Sequence, residues 1–226
     1  MRWTKAAIRK AVEDIESIYG CARWVSRFDP LEELVSCILS QHTTDATSFP
    51  TFAALRKAYP SWKAVAALPA ERLAKVIARA GLPNQKARSI IGSLSEIYLR
   101  NGAYTLEPLR ELSTEEARKW LLSLPGVGPK TGAIVLCFSF GRPAIPVDTH
   151  VFRVSWRLGL ISKELGANKA HAVIEKMVPE DLAFRFHTAL IQHGRQICKA
   201  PTPQCHRCPL TDRCKWFRSS KLKRDG

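Results

Sequence analysis

Leu124-Pro125-Gly126-Val127-Gly128-Pro129-Lys130-Thr131-Gly132 lies between two apolar stretches, WLLS before it and AIVLCFSF after it. Two glycines at a spacing of two let the backbone turn sharply with its N–H groups outward, an arrangement that holds a phosphate. Val127, between them, is expected to point inward and pin the flanking helices. Pro129 suits the first turn of the second helix, where its missing N–H is not needed. Taken alone, a Gly-x-Gly turn is also an ordinary helix–helix connection.

Outward from this turn the chain reads as helix almost everywhere. Apolar residues recur at helical spacing, as in Ile8, Val12, Ile15 and Ile18, or Leu73, Val76, Ile77 and Ala80, and strand-like alternation is nearly absent. The fold class is therefore all-α. Asp29-Pro30 offers an N-cap and N1 proline before LEELVSCILS, and Ser113-Thr114-Glu115-Glu116 reads as a capping box before ARKWLLSL. Breaks near Gly20, Pro60, Gly81, Gly102, Gly141, Gly159 and Gly194 divide the chain into about ten short helices, consistent with typical lengths of three to four turns. The basic tail KWFRSSKLKRDG is expected to fray from Ser219 onward. AGLPNQKARSII echoes PGVGPKTGAIVL: each has a Gly turn with an apolar tip, then a Lys, then an apolar helix start.

The 226 residues, 46% of them hydrophobic, suffice for a core in one domain or two lobes without disulfide staples. Thirty-five Lys and Arg against 20 Asp and Glu leave a formal charge of +15, which favours a polyanion partner such as nucleic acid. Seven cysteines are far below the density of a secreted disulfide scaffold and fit a reducing compartment. The N-terminal residues carry charges every few positions and read as an amphipathic helix, with no signal peptide. The most apolar run, Ala133 to Phe140, is far short of a membrane span, so a soluble protein without a membrane partner is expected.

Three groups of residues carry candidate chemistry. Lys130, just inside a helix start, is either a phosphate-contacting cation or a nucleophilic amine. An amine that attacks carbon must be partly deprotonated, which a helix N-terminus and desolvation both favour. Asp148, in PVDTHVFRV, directly precedes an apolar helix and reads as an N-cap, a role compatible with catalysis. His150 reads as a hydrogen-bonded interior residue. Cys198, Cys205, Cys208 and Cys214 form C-x6-C-x2-C-x5-C, and four thiols so close together call for a shared metal. A single CxxC with unequal flanking gaps suits an iron–sulfur cubane better than the paired units usual for zinc. Lys199, Arg207, Arg213 and Lys215 surround these ligands, as a phosphate-gripping loop or as a solvated surface. Cys21, Cys37 and Cys137, with Trp62, Trp120 and Trp156, read as core.

L-P-G-V-G-x-K-T-x-A followed by V-D-T-H resembles the helix-hairpin-helix signature of base-excision DNA glycosylases, specifically the endonuclease III family, over roughly residues 28 to 216. The resemblance implies a two-lobed fold: residues 26–143 as a six-helix barrel with the hairpin, and residues 1–25 with 144–226 as an iron–sulfur cluster lobe. It implies that Gly126, Val127 and Gly128 clamp a DNA phosphate, that Lys130 is the nucleophile of a bifunctional glycosylase/AP lyase, and that Asp148 is the essential carboxylate. It makes the four cysteines the ligands of a [4Fe-4S] cluster. Ser40-Gln41-His42-Thr43-Thr44-Asp45 resembles the segment in which a glutamine fills the gap left by a flipped nucleotide. Aligned on Asp45, His42 takes that position and Gln41 falls one residue early. Leu82 corresponds to the family's apolar wedge; by pattern alone it is equally a loop leucine tucked into the core.

The implied activity is removal of oxidised pyrimidines from double-stranded DNA containing damaged bases or abasic sites, with β-elimination through a Lys130 Schiff base. A cytoplasmic, nucleoid-associated setting is expected, and with no sequence feature pointing to an oligomer a monomer is the default. The alternatives are a mismatch-specific glycosylase of the same superfamily, and a non-catalytic iron–sulfur protein that binds DNA or senses redox state. A zinc-stabilised helical interaction module is a third alternative, explaining the cysteines but not the hairpin.

Overall fold

In the computed structural model, which describes residues 2–26 and 28–222, the chain order is α1 (Lys5–Tyr19), α2 (Pro30–Ser40), α3 (Asp45–Ala58), α4 (Trp62–Ala66), α5 (Ala70–Val76), α6 (Pro83–Asn101), α7 (Thr114–Leu122), α8 (Pro129–Ile134), α9 (Thr149–Leu158), α10 (Gly166–Met177), α11 (Ala183–Gln196) and α12 (Lys215–Leu222). Short 3-10 turns join several of them, and no strand occurs among the described residues, so the fold is all-α. The expected boundary signals operate. Asp29 Oδ1 accepts from the Leu31 N–H at 2.9 Å with Pro30 as the first helical residue. The Ser113–Glu116 capping box is closed in both directions, at 2.9 and 3.2 Å. The apolar run after α8 stays helical but widens into a π turn over Val135–Ser139.

The chain divides into two compact units, Ser26–Phe140 and Met1–Val25 with Gly141–Gly226. The first is built around α2, nine of whose eleven residues are buried, including Leu31, Leu34, Val35, Ile38 and Leu39. A helix buried on all sides must be surrounded by others, and α3, α6 and α8 pack against it. In the second unit Ile8, Val12 and Ile15 of α1 join Val151 and Val154 of α9 and Phe186 and Leu190 of α11 in one core.

Several expectations need correction. Gly194 does not end a helix but lies within α11. A Cβ there would sit 2.9 Å from His150 Cβ, so the glycine serves the close approach of α9 and α11. Helix α12 runs through Ser219 to Leu222, where fraying was expected; the end of the predicted frayed tail, residues 223–226, lies outside the described residues. Cys21 is exposed, beyond the end of α1, whereas Cys37 and Cys137 are buried as expected. Ile18 is 45% exposed despite its helical spacing. Trp62 is buried, but Trp120 and Trp156 are only half-buried, each under an arginine side chain.

Helix α1 is fastened to α11 by an ion pair: Arg185 Nε donates to Glu16 Oε1 at 2.9 Å, and Arg185 Nη2 to the other carboxylate oxygen. The guanidinium holds the Glu16 carboxyl below the usual carboxylate range. A depressed native pKa adds stability that is present above the unfolded value, about 4.3, and is lost as pH falls through the lower native one. Glu16→Gln should therefore lower the urea-unfolding free energy at pH 7 by about 1–2 kcal/mol. The gap between the two proteins should stay constant down to about pH 5 and narrow below it.

Candidate DNA-facing loops and a four-thiol cage

The hairpin, in the Ser26–Phe140 unit, is built as its composition requires, with one change. Only Gly126 is left-handed, at φ 76, while Gly128 is extended, at φ −97 and ψ 178. A Cβ on Gly126 would meet Ser89 Cβ at 2.5 Å, whereas one on Gly128 would meet nothing within 4 Å. Packing within the protein thus explains the first glycine and leaves clear space over the second. Val127 points inward and is 7% exposed. Its N–H already donates to Leu124 O at 3.2 Å. Of the three residues expected to present N–H groups, Gly126 and Gly128 remain without a protein acceptor among the described residues.

Lys130 is the second residue of α8 and is exposed, so the burial expected around its amine is not present. Gln41 and His42, adjacent in sequence, behave oppositely. Gln41 Nε2 donates to Gly126 O at 2.9 Å and reaches Thr131 Oγ1 at 3.4 Å, tying the α2–α3 turn to the hairpin. His42 is exposed and left-handed, at φ 53. Leu82 is likewise left-handed, at φ 48, and 50% exposed, which removes the tucked-leucine alternative.

Asp148 belongs to the other unit, where it caps α9: Oδ1 accepts from the His150 N–H at 2.9 Å and the Val151 N–H at 2.8 Å. Both bonds use one oxygen, and Oδ2 has no hydrogen-bond partner among the described residues, so capping and chemistry are compatible on one carboxylate. His150 is half-buried, and its Nδ1 accepts from Arg153 Nη2 at 3.0 Å, a structural contact.

In the same unit Cys198, Cys205, Cys208 and Cys214 line one small cavity with Leu158, Ile197, Trp216 and Phe217. Nitrogen groups face three of the sulfurs. Arg157 Nη1 lies 3.4 Å from Cys198 Sγ, the Phe217 N–H 3.5 Å from Cys214 Sγ, and His193 Nε2 3.4 Å from Cys208 Sγ. Burial pushes the Cys208 thiol up to about 12 and the buried His193 imidazole down to about 4. Among the described residues no three His, Cys, Asp or Glu side chains converge to hold a single ion. A four-sulfur donor set spread around a cavity, with N–H groups aimed at sulfur, fits a polynuclear cluster bound through thiolates. Lys199, Arg207 and Lys215 are exposed around it, but Arg213 is half-buried and reaches Ala7 O at 3.3 Å.

The sequence reading missed Lys86, Arg157 and His193, all buried. A signal existed for two of them. Lys86 continues the Ile90–Leu94–Ile97 stripe of α6, and His193 the Phe186–Ala189–Leu190 stripe of α11, and a polar residue on an apolar stripe marks a buried polar role.

An all-α unit whose hairpin presents open backbone N–H groups beside an exposed lysine defines a nucleic-acid-processing class, and residues 35–180 match the HhH-GPD superfamily of base excision DNA repair proteins. Endonuclease III of Thermotoga maritima is 34% identical over 190 residues, 84% of each chain. Endonuclease III of Bacillus subtilis is 36% identical over 187 residues, 83% of this chain and 81% of that one. A DNA glycosylase relative from Arabidopsis thaliana is longer: the match, 36% identical over 168 residues, spans 74% of this chain and 57% of the plant protein. A solved structure of a trapped endonuclease III–DNA covalent intermediate superimposes with a TM-score of 0.81 at 32% identity, over 97% of this chain and 100% of that one. The chain belongs to the endonuclease III family of base-excision DNA glycosylases and AP lyases.

The two hairpin glycines should separate cleanly. Gly126→Ala, strained and in collision with Ser89, is expected to lower unfolding free energy in urea by about 1–3 kcal/mol. Gly128→Ala is expected to stay within about 0.5 kcal/mol of the parent.

Proposed function

We propose that the protein removes oxidised pyrimidines from double-stranded DNA and nicks the resulting strand, with Lys130 as nucleophile and Asp148 as the assisting carboxylate. The observation that carries this reading is the exposed Lys130 amine standing directly after the open edge of Gly126 and Gly128. Backbone N–H groups there take a DNA phosphate without reading sequence, and the bare Gly128 leaves room for it to approach. Flipping exposes the glycosidic carbon, which the stacked duplex hides, and is cheapest for a damaged base.

The Lys130 amine, once deprotonated, forms a bond to C1′ as the C1′–N bond breaks and the base leaves with the electron pair. Asp148 stabilises the positive charge that develops at the sugar and carries protons between amine and leaving base. Ring opening yields the Lys130 imine. Loss of a C2′ proton then expels the 3′ phosphate, and hydrolysis returns the lysine. His42 and Leu82 occupy the duplex where the nucleotide has left. Cys198, Cys205, Cys208 and Cys214 hold a [4Fe-4S] cluster, which would serve structure, ordering the loop that presents Lys199 to the phosphate backbone. The enzyme acts as a monomer on chromosomal DNA in the cytoplasm. Among the described residues no helix is long and apolar enough to cross a membrane.

The test is single-turnover cleavage of duplexes carrying thymine glycol or an abasic site. The parent protein should cut both, and Lys130→Gln should lose at least about a thousandfold on each. Parental cleavage by Lys130→Gln would overturn the assignment. Asp148→Asn should retain stability, because Asn caps a helix as well as Asp, while base removal falls by about 10²–10³. Protein purified without oxygen should contain iron and acid-labile sulfide in equal amounts, and zinc without sulfide would contradict the cluster.

A further inference from the structure

Lys86 is 2% exposed, in the first turns of α6. Among the described residues its ammonium has no carboxylate partner: Nζ donates to Leu39 O at 2.7 Å and to Ala80 O at 2.6 Å, and burial pushes the amine below the usual lysine range. Both acceptors stand at helix ends that need a donor. Leu39 lies in the last turn of α2, which carries no basic residue of its own, and Ala80 ends the 3-10 turn Ala78–Ala80. The final carbonyls of a helix are unsatisfied and form the negative end of its dipole, so a buried cation between two such ends is electrostatically favoured.

The residues just beyond each carbonyl give the contact its meaning. Three positions after Leu39 comes His42, and two after Ala80 comes Leu82, the two non-glycine residues with positive φ among those described. Both side chains are exposed. A left-handed backbone at a histidine and a leucine persists only where surrounding contacts hold it. We infer that Lys86 is the positioning residue that sets the spacing of the His42 and Leu82 loops, so that the two side chains enter the duplex together. The inference rests on the proposed DNA-inserting roles of those loops and adds the residue that couples them.

The experiment is a double-mutant cycle on the intact protein. The readout is the fluorescence of 2-aminopurine placed opposite a tetrahydrofuran abasic analogue, which rises when the opposing base is unstacked. Lys86→Met and Leu82→Ala should each lower the insertion equilibrium by about tenfold or more, and the double variant should lie within about twofold of Leu82→Ala, because both changes disable one device. Multiplicative effects, or a Lys86→Met variant that melts earlier yet inserts like the parent, would overturn the inference. If Lys86→Met does not fold, Lys86→Arg, which keeps the charge and donors but displaces the carbonyls, enters the same cycle with the same criteria. A parent protein that binds this duplex without any fluorescence rise would instead overturn the inserting roles of His42 and Leu82, and the inference with them.

Discussion

Helix α2 is buried on nearly every side, and its C-terminal carbonyls therefore end away from water. Burial without donors would leave those groups unpaired at a cost of about 1–3 kcal/mol each. The Lys86 ammonium on Leu39 O meets that requirement. The next residue but one, Gln41, turns its amide onto Gly126 O and so fastens the hairpin. Three candidate DNA-facing loops, carrying His42, Leu82 and Gly126–Gly128, are thus connected to one buried helix end. On the proposed DNA-binding roles of these loops, the buried core of the unit that bears them fixes where they stand.

The internal echo in the sequence turns out to be an inversion. Gly81-Leu82-Pro83 and Gly126-Val127-Gly128-Pro129 both place a left-handed glycine and then an apolar residue ahead of a helix that starts on proline. Yet Leu82 is exposed and its lysine, Lys86, is buried, whereas Val127 is buried and its lysine, Lys130, is exposed. Lys86 comes three residues after its helix-starting proline and Lys130 one after its own, which sets Lys86 on the inner stripe of α6 and leaves Lys130 at the open start of α8. One turn offers an apolar tip and hides its amine, and the other hides its apolar tip and offers an amine.

Helix boundaries were legible because their signals are local: Asp29-Pro30, the Ser113–Glu116 box and the Asp148 cap each act through hydrogen bonds within a few residues. Long-range constraints were not. Gly194 looks like a helix breaker in sequence but answers to His150 on another helix. Ile18 is exposed although Ile15 before it and Tyr19 after it pack on the core, and Cys21 is exposed beyond the end of α1. The direction of Gln41 depends on a carbonyl 85 residues away in the chain. The four cysteines were legible as a group from spacing, whereas Arg157 and His193, which face their sulfurs, come from other segments of the chain.

The proposed mechanism puts the covalent bond to DNA on the Lys130 amine. Borohydride reduction of the protein on an abasic-site duplex, followed by nuclease and protease digestion and mass spectrometry, locates that bond directly. The expected result is a sugar remnant on the peptide containing Lys130 and on that residue within it. A remnant on any other lysine, or on the N-terminal amine, would contradict Lys130 as the nucleophile.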